Sequence, residues 1–287
     1  MAALHLLVVE GNVAAQAARV AAMTGTTPAA GYAAVLRALA PGAAVDIVTP
    51  ADPGAAEAPA ALADYDGIAI TGSALNVYDL TPPITAQIAL ARAVFAAGVP
   101  FFGSCWGLQV ATVAAGGSVR PNPRGREVAL ARNVWLTAEG RAHPLHAGRP
   151  AAFDVPAIHL DEVETRPPGM VVTAGNAVSA VQAAEIRFGN GLFWGVQYHP
   201  EYDFSDLAAM LARYRPILIA EGFARDDAAV DALVADMTAL GGDSPRRDIA
   251  WRWGLGAVVL ERAARRTEIA NWLSAQVRPF AARRGRG

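Results

Sequence analysis

Short apolar runs alternate with stretches of helical spacing along the first half of the chain. Runs rich in Val, Ile, Leu and Phe predict buried strands at residues 4–9, 45–48, 66–71 and 99–103. Apolar residues recurring every three or four positions predict helices at residues 28–39, 82–97 and 106–115. Strands that alternate with helices indicate an α/β fold, with an open, mostly parallel or mixed sheet flanked by helices.

The pattern changes in the second half of the chain. Residues 127–200 predict shorter β segments, and Asn190-Gly191 between two apolar runs is typical of a β-hairpin. After Pro200 the spacing becomes helical at residues 206–220, 226–240 and 261–276, with a break at residues 241–245. We therefore predict an α/β domain over residues 1–205 and a helical C-terminal extension over residues 206–287.

The extension carries Trp251, Trp253 and Trp272. Amphipathic helices with large aromatic residues bury a face against something. The expected partner is the domain itself, near the carboxyl ends of its strands, with a share in a homodimer contact. The alternative is that the extension docks a separate synthetase or covers the active site.

Composition narrows the classes of protein that remain. The chain is 53% hydrophobic with a formal net charge of −2, which gives no case for nucleic-acid binding. One cysteine, Cys105, excludes an intrachain disulfide and a Cys-rich zinc site. The start lacks signal-peptide features, and no apolar run reaches the about 18 to 20 residues of a membrane span. We therefore expect a cytoplasmic protein, not bound to membranes and without a cofactor or metal.

Cys105 lies where a predicted strand turns into a predicted helix, within Gly103-Ser104-Cys105-Trp106-Gly107-Leu108-Gln109. This is the setting of a nucleophile elbow, whose sharp turn needs small neighbours such as Gly103 and Gly107. The start of a helix favours the thiolate over the thiol. The alternative is a buried structural cysteine, which is common among free cysteines.

A second motif, Gln197-Tyr198-His199-Pro200-Glu201, follows the second strand of the predicted hairpin. A thiol nucleophile needs a base, and the base needs a group that orients it. His199 and Glu201 are two residues apart, so they can share one side of an extended segment. Of the five histidines, only His199 combines a strand end with a neighbouring carboxylate and a Cys partner.

The two motifs resemble those of the class I glutamine amidotransferases, most closely the glutaminase domain of GMP synthetase. The family pattern Gly-x-Cys-x-Gly-x-Gln is met from Gly103 to Gln109, and Gln-x-His-Pro-Glu from Gln197 to Glu201. Thr71-Gly72-Ser73 followed by Val77-Tyr78-Asp79 is similar to the family's oxyanion loop, with Asn76 in place of a Ser. The resemblance spans residues 4–205 and implies a flavodoxin-like sheet.

The resemblance also implies roles for the matching residues. Cys105 would be the nucleophile, His199 the base and then the acid, and Glu201 the orienting group. The backbone N–H groups of Gly72 and Trp106 would form the oxyanion hole. The implied reaction attacks the side-chain amide of glutamine, passes through a γ-glutamyl thioester and releases ammonia.

Four further residues would contact the substrate. The resemblance places Ser73 and Gln109 near the glutamine. His159 and Asp161 belong to a segment similar to the family's His-x-Asp segment near the substrate mouth.

The triad alone leaves the substrate open. Relatives that hydrolyse other γ-glutamyl bonds share the nucleophile and the histidine, although the His-Pro-Glu form favours amidotransferases. The chain has no Ser-Gly-Gly-x-Asp-Ser or Gly-x-x-x-x-Gly-Lys phosphate loop and no Lys. Either a separate synthetase subunit accepts the ammonia, or the protein acts alone as a γ-glutamyl hydrolase. A non-catalytic γ-glutamyl-binding regulator and an esterase or peptidase are further alternatives.

Overall fold

A nine-stranded sheet forms the centre of the protein. The computed structural model describes residues 3–52, 62–242 and 246–285. Within these residues the strands are β1 (His5–Val9), β2 (Ala44–Val48), β3 (Gly67–Ile70), β4 (Phe101–Ser104), β5 (Ser118–Pro121), β6 (Glu127–Leu136), β7 (Ala152–His159), β8 (Asp161–Thr165), β9 (Met170–Gly175), β10 (Ala183–Phe188) and β11 (Gly191–Val196). The large sheet has the order β2-β1-β3-β4-β11-β10-β9-β6-β7, while β5 and β8 form a separate two-stranded sheet.

The sheet is mixed, with parallel strands on one side and antiparallel strands on the other. The pairs from β2 to β11 run parallel, and those from β11 to β7 run antiparallel. The carboxyl ends of β1, β3, β4 and β11 therefore meet at one edge. The predicted α/β fold class is confirmed by this sheet and its flanking helices.

Helices cover both faces of the sheet. They are α1 (Ala14–Thr24), α2 (Pro28–Leu39), α3 (Pro82–Ala97), α4 (Trp106–Ala114), α5 (Ala138–Ala142), α6 (Phe204–Arg213), α7 (Arg215–Ala220), α8 (Asp227–Leu240), α9 (Arg247–Arg252), α10 (Ala257–Leu260), α11 (Arg262–Arg265), α12 (Thr267–Trp272) and α13 (Arg278–Arg283). A π-helical turn, Leu273–Val277, joins α12 to α13. The core cluster on one face contains residues of α2 and α12, and the cluster on the other contains residues of α3 and α4.

Strand β1 is buried on both faces from Leu6 to Val9, which explains why these residues are all apolar. Side chains alternate between the two faces of a strand. Leu6 and Val8 join the core on the α2 face, while Leu7 and Val9 join the core on the α3 and α4 face. A strand that is buried on both faces is therefore apolar at every position.

The predicted hairpin is present, but its turn lies one residue earlier than the Asn-Gly pair. Phe188 pairs with Gly191, so the two-residue loop is Gly189-Asn190, with Gly189 at φ 56°. Gly191 belongs to β11 instead, where an added Cβ would lie 2.5 Å from the Cα of Phe95 in α3. The glycine thus serves close packing of a helix on the strand.

The helix predicted at residues 226–240 is present as α8, whereas the other two predicted C-terminal helices are divided into shorter ones. The stretch predicted as one helix at residues 206–220 divides at Tyr214 into α6 and α7, where Pro216 cannot continue the backbone hydrogen-bond ladder. Residues 243–245 of the predicted break lie outside the described residues. Trp272 is fully buried and stacks at 5.7 Å from Phe102, whereas Trp251 is 87% exposed. In the described ranges no helix is both long and apolar enough to cross a membrane.

Candidate active site

Cys105 occupies a strained turn between β4 and α4. Its backbone has φ 51° and ψ −100°, a conformation that costs a non-glycine residue about 1–3 kcal/mol. The Cys105 N–H donates to the carbonyl of Val196 at 2.7 Å, which ties the turn to the end of β11. The thiol is buried, and the amide of Gln197 approaches its Sγ at 3.5 Å. The sequence-predicted nucleophile therefore has the geometry of an elbow.

Gly103 and Gly107 allow α4 to pack closely against β3 and β4. A Cβ on Gly103 would lie 2.8 Å from the backbone of Gly107, and one on Gly107 would lie 2.9 Å from the carbonyl oxygen of Ile70. Larger residues would push α4 away from β3 and β4. The glycine spacing thus sets the height of Cys105 above the sheet.

His199 and Glu201 follow β11 and face the elbow. His199 Nδ1 lies 2.7 Å from Glu201 Oε1, which leaves Nε2 for the thiol. The imidazole stacks on the ring of Tyr202, with centroids 4.1 Å apart and planes inclined by 6°. The His199 N–H donates to Pro156 at 2.8 Å, so both backbone and ring are fixed. The structure brings together all three residues of the predicted triad.

The surroundings of His199 favour its charged form. Burial by itself lowers the pKa of the imidazole, but the charge of Glu201 and the hydrogen bonds to Cys105 and Glu201 outweigh it. Together they raise the pKa of His199 from 6.5 to about 10. His199 therefore carries a proton at neutral pH.

Gly72 and Trp106, the predicted oxyanion donors, lie on the two sides of the elbow. Gly72 is close to the base, because a Cβ there would lie 2.6 Å from His199 Cε1. Trp106 is the first residue of α4, so its backbone N–H has no carbonyl four residues earlier within the helix. Its indole is fully buried and donates to the side chain of Gln87 at 2.7 Å.

Two cavities meet at Cys105. The first, of about 380 Å³, extends towards α1, α2 and α6 and is lined by Gly72, His199 and Glu201 among others. The second, of about 340 Å³, extends towards α7 and the loop before β8 and is lined by Gln109 and Asp161. Ser73 lines both cavities.

Of the four predicted substrate residues, three face the cavities and the fourth, His159, mainly holds a loop in place. Ser73 and Gln109 face the cavities, as does Asp161, whose carboxylate accepts a hydrogen bond from Tyr78 at 3.2 Å. Burial raises the pKa of the Asp161 carboxyl. His159 lines the second cavity, but its ring nitrogens lie 2.8 Å from Glu127 and 3.0 Å from the carbonyl of Asp161. Its ring therefore holds the loop that carries Asp161.

Three polar residues that the sequence analysis did not single out brace the oxyanion loop. Glu10 accepts hydrogen bonds from Asn12 at 2.8 Å and from the Ala29 N–H of α2 at 2.8 Å. Asn12 in turn donates to the carbonyl of Gly72 at 3.2 Å and accepts from the Ala74 N–H at 3.1 Å. Gln87 joins the network through the carbonyl of Gly11. The signal for Glu10 and Asn12 is their place just after β1, at the edge where parallel strands end.

No metal centre accompanies this site. Across the described part of the chain, no group of three or more His, Cys, Asp or Glu residues is arranged to hold a metal ion.

The open sheet, with a Cys-His-Glu cluster at the carboxyl ends of its parallel strands, defines a protein of the glutamine amidotransferase type. The chain belongs to the class I glutamine amidotransferase family, whose profile matches residues 32–214. The expected family relationship is confirmed by this match and by the relatives.

Two relatives and one solved structure illustrate the family relationship. The chain is 40% identical over 225 residues to a γ-glutamyl-L-1-hydroxyisopropylamide hydrolase of a Pseudomonas species, covering 77% of this chain and 76% of that protein. It is 34% identical over 147 residues to the glutamine-hydrolysing GMP synthase of Thermomicrobium roseum, covering 51% of this chain and 25% of that protein. A glutamine amidotransferase from Thermotoga maritima shares the fold with a TM-score of 0.65 at 16% identity, covering 96% and 98% of the two chains.

Proposed function

We propose that the chain hydrolyses γ-glutamyl amides on its own, with Cys105 as the nucleophile. The observation that carries the proposal is that Cys105 and His199, whose imidazole lies 2.7 Å from Glu201, line one cavity that meets a second cavity at Cys105. The similarity to a γ-glutamyl amide hydrolase over about three quarters of both chains supports this substrate class.

In the proposed reaction the Cys105 thiolate attacks the γ-carbonyl carbon. The negative charge that develops on the carbonyl oxygen is stabilised by the N–H groups of Gly72 and Trp106. His199 donates its proton to the departing amine, the C–N bond breaks and a γ-glutamyl thioester remains. The neutral imidazole then takes a proton from water, whose oxygen attacks the thioester. The C–S bond breaks, glutamate leaves, and the regenerated Cys105 thiolate pairs again with the protonated His199.

The second cavity suits the glutamyl group. This group carries an α-ammonium and an α-carboxylate, which need charges of opposite sign at a fixed spacing. Asp161 lines the cavity and would accept from the ammonium, and Arg126 and Arg213 line the same cavity and would bind the carboxylate. The side-chain amide of Gln109 adds polar contacts.

A second candidate is a glutaminase that supplies ammonia to a separate synthetase subunit. The observation in its favour is the similarity to the glutamine-hydrolysing GMP synthase, of which this chain spans about a quarter. In this case glutamine would be the preferred substrate, and turnover by the chain alone would be slow until the synthetase bound.

Both candidates can be tested by supplying the purified chain with glutamine and with N-substituted γ-glutamyl amides and measuring the products. We expect release of glutamate and the free amine from the substituted amides without any partner protein. Cys105→Ala should reduce this turnover by about 10⁴-fold or more, because the residues of such a triad act as a unit. An unchanged thermal unfolding curve for the variant is the control. Activity of Cys105→Ala at the wild-type level would refute the proposal, and turnover of glutamine alone would favour the second candidate.

A further inference from the structure

Cys105 lies between two cavities of different character, and His199 lines only one of them. His199 borders the first cavity, towards α1, α2 and α6, whereas Gln109 and Asp161 border the second. In the proposed reaction the group that donates a proton to the departing nitrogen must lie beside that nitrogen. The amine therefore leaves on the side of the first cavity, while the glutamyl group occupies the second.

The first cavity is far larger than ammonia requires. It measures about 380 Å³, whereas one water molecule, close to ammonia in size, takes about 30 Å³ in the liquid. Aliphatic side chains form a large part of its wall, from Val20 and Met23 of α1, Val35 of α2 and Met210 of α6. A space of this size, with aliphatic side chains on its wall, suits a carbon substituent on the nitrogen.

The charges around this cavity are balanced. Its described lining includes three carboxylates, Glu201, Asp203 and Asp206, and three basic groups, His199, Arg213 and Arg266. Glu201 pairs with His199 at 2.7 Å, and Asp203 pairs with Arg266 at 3.3 Å. Arg213 also borders the second cavity, but Asp203 pairs in addition with Arg262 at 3.2 Å and Arg265 at 2.6 Å. Even with Arg213 bound to the glutamyl carboxylate, a second positive charge on the substrate, as in a polyamine, would therefore find no excess of negative charge here.

We infer that the cavity between α1, α2 and α6 is a binding site for the leaving amine, and that it selects γ-glutamyl amides of neutral aliphatic amines over glutamine. The inference rests on the proposed hydrolase function and specifies the substrate class. Arg266 and the α6 residues bring the C-terminal helices into the substrate site.

Ala34 offers a substitution that narrows this cavity without disturbing the core. It lies on the exposed side of α2 and lines the cavity, so Ala34→Phe places an aromatic ring in the amine site. Ala38 is equally exposed one turn further along the same helix and is not part of the lining, so Ala38→Phe is the matched control.

The experiment measures kcat/KM of the whole chain for three substrates: glutamine, γ-glutamylisopropylamide and γ-glutamylputrescine. For the wild type we expect the isopropylamide to be the best of the three. Ala34→Phe should lower the ratio of kcat/KM for the isopropylamide to that for glutamine by about tenfold or more, since a lost methyl-sized space already discriminates at this level. Ala38→Phe should leave the ratio unchanged.

The other possible outcomes contradict either the inference or the proposed function. A wild-type chain that hydrolyses glutamine as well as or better than the isopropylamide overturns the inference, as does a preference for γ-glutamylputrescine. An unchanged ratio in both Ala34→Phe and Ala209→Phe, which approaches the cavity from α6, also overturns it. If none of the three substrates is hydrolysed, the proposed function itself fails.

Discussion

The site combines a strained backbone at Cys105 with a charged imidazole at His199. The strained turn places the thiol at the carboxyl edge of the sheet, and the neighbouring imidazole keeps its proton up to a pKa of about 10. Strain of this kind persists only when the surroundings fix it. Here the fixing contacts are the Cys105 hydrogen bond to Val196 and the close approach of Gly103 to Gly107.

Glu201→Gln should move the upper pH limit of activity to lower pH. The pKa of His199 is raised to about 10, so the imidazolium is present below that pH and is lost as the pH rises through it. Removing the Glu201 charge lowers this pKa, because that charge is the largest influence that raises it. We expect kcat/KM to fall by roughly 10²- to 10⁴-fold, with its alkaline limb displaced to lower pH.

The matched control is Glu185→Gln. Glu185 pairs with His143 at 3.1 Å in the same way, but neither residue lines a cavity at Cys105. This variant should keep the wild-type pH profile. An alkaline limb that stays in place in Glu201→Gln would show that Glu201 does not control the proton on His199.

For individual residues, the sequence predicts those that belong to short motifs. It misses those that reach the site only through the folding of distant segments. Cys105, His199 and Glu201 stand in characteristic local contexts, so their types and spacing already indicate chemistry. The stacking of Tyr202 on His199 depends on how the chain turns after Glu201, which no local pattern specifies. The bracing by Asn12 depends on β1 lying beside β3 in the sheet.

Among the helices and strands, those with clear start or stop residues are predicted closely. Helix α2 begins at Pro28 with a hydrogen bond from the Ala30 N–H to Thr27, and α3 ends at Gly98 with φ 68°. Helix α1 ends at Gly25 with φ 81° but was missed because it lacks a signal at its start and an apolar face. Its N-cap, Val13, makes no side-chain capping bond, and only Ala17 of its residues is buried.

The C-terminal helices contribute to the core unequally. Trp272 packs against Phe102 and lies at 3.0 Å from where a Cβ on Gly67 would be, so the indole fills the space over β3. Trp272→Ala should lower the free energy of unfolding by about 3–5 kcal/mol, measured by urea denaturation.

Trp251→Ala makes the same change at an exposed position. With 87% of its surface exposed, Trp251 has little packing to lose, and the effect should stay within about 0.5 kcal/mol. Equal effects of the two substitutions would mean that the C-terminal helices do not share the core of the sheet.

For the whole molecule, a buried ion pair joins the C-terminal helices to the strand that leads into the site. Glu268 of α12 accepts hydrogen bonds from Arg149 at 2.7 and 2.8 Å and from the Tyr198 hydroxyl at 3.0 Å. Tyr198 immediately precedes His199. The position of the imidazole is thus connected directly to a helix near the end of the chain. The division into a domain and an extension stays a prediction.

Burial by itself raises the pKa of Glu268, but the charges and hydrogen bonds of Arg149 and His146 outweigh it and lower the pKa from 4.5 to about 2. A lowered pKa in the folded state gives stability that is complete above 4.5 and is lost as the pH falls towards 2. Glu268→Gln should therefore destabilise the protein at pH 7 by about 3–5 kcal/mol, since Arg149 would be left buried without its charge partner. The difference from the wild type should shrink as the pH falls below 4.5.

Urea unfolding at a series of pH values measures this difference. Asp248 is the matched control because its pKa is also lowered to about 2, mainly by its hydrogen bond to Arg246, yet the pair is exposed to solvent. Asp248→Asn should leave the unfolding curve unchanged, because water replaces an exposed partner and screens its charge. A Glu268→Gln protein as stable as the wild type at pH 7 would show that the ion pair is replaceable, and that the contact between α12 and Tyr198 depends on packing alone.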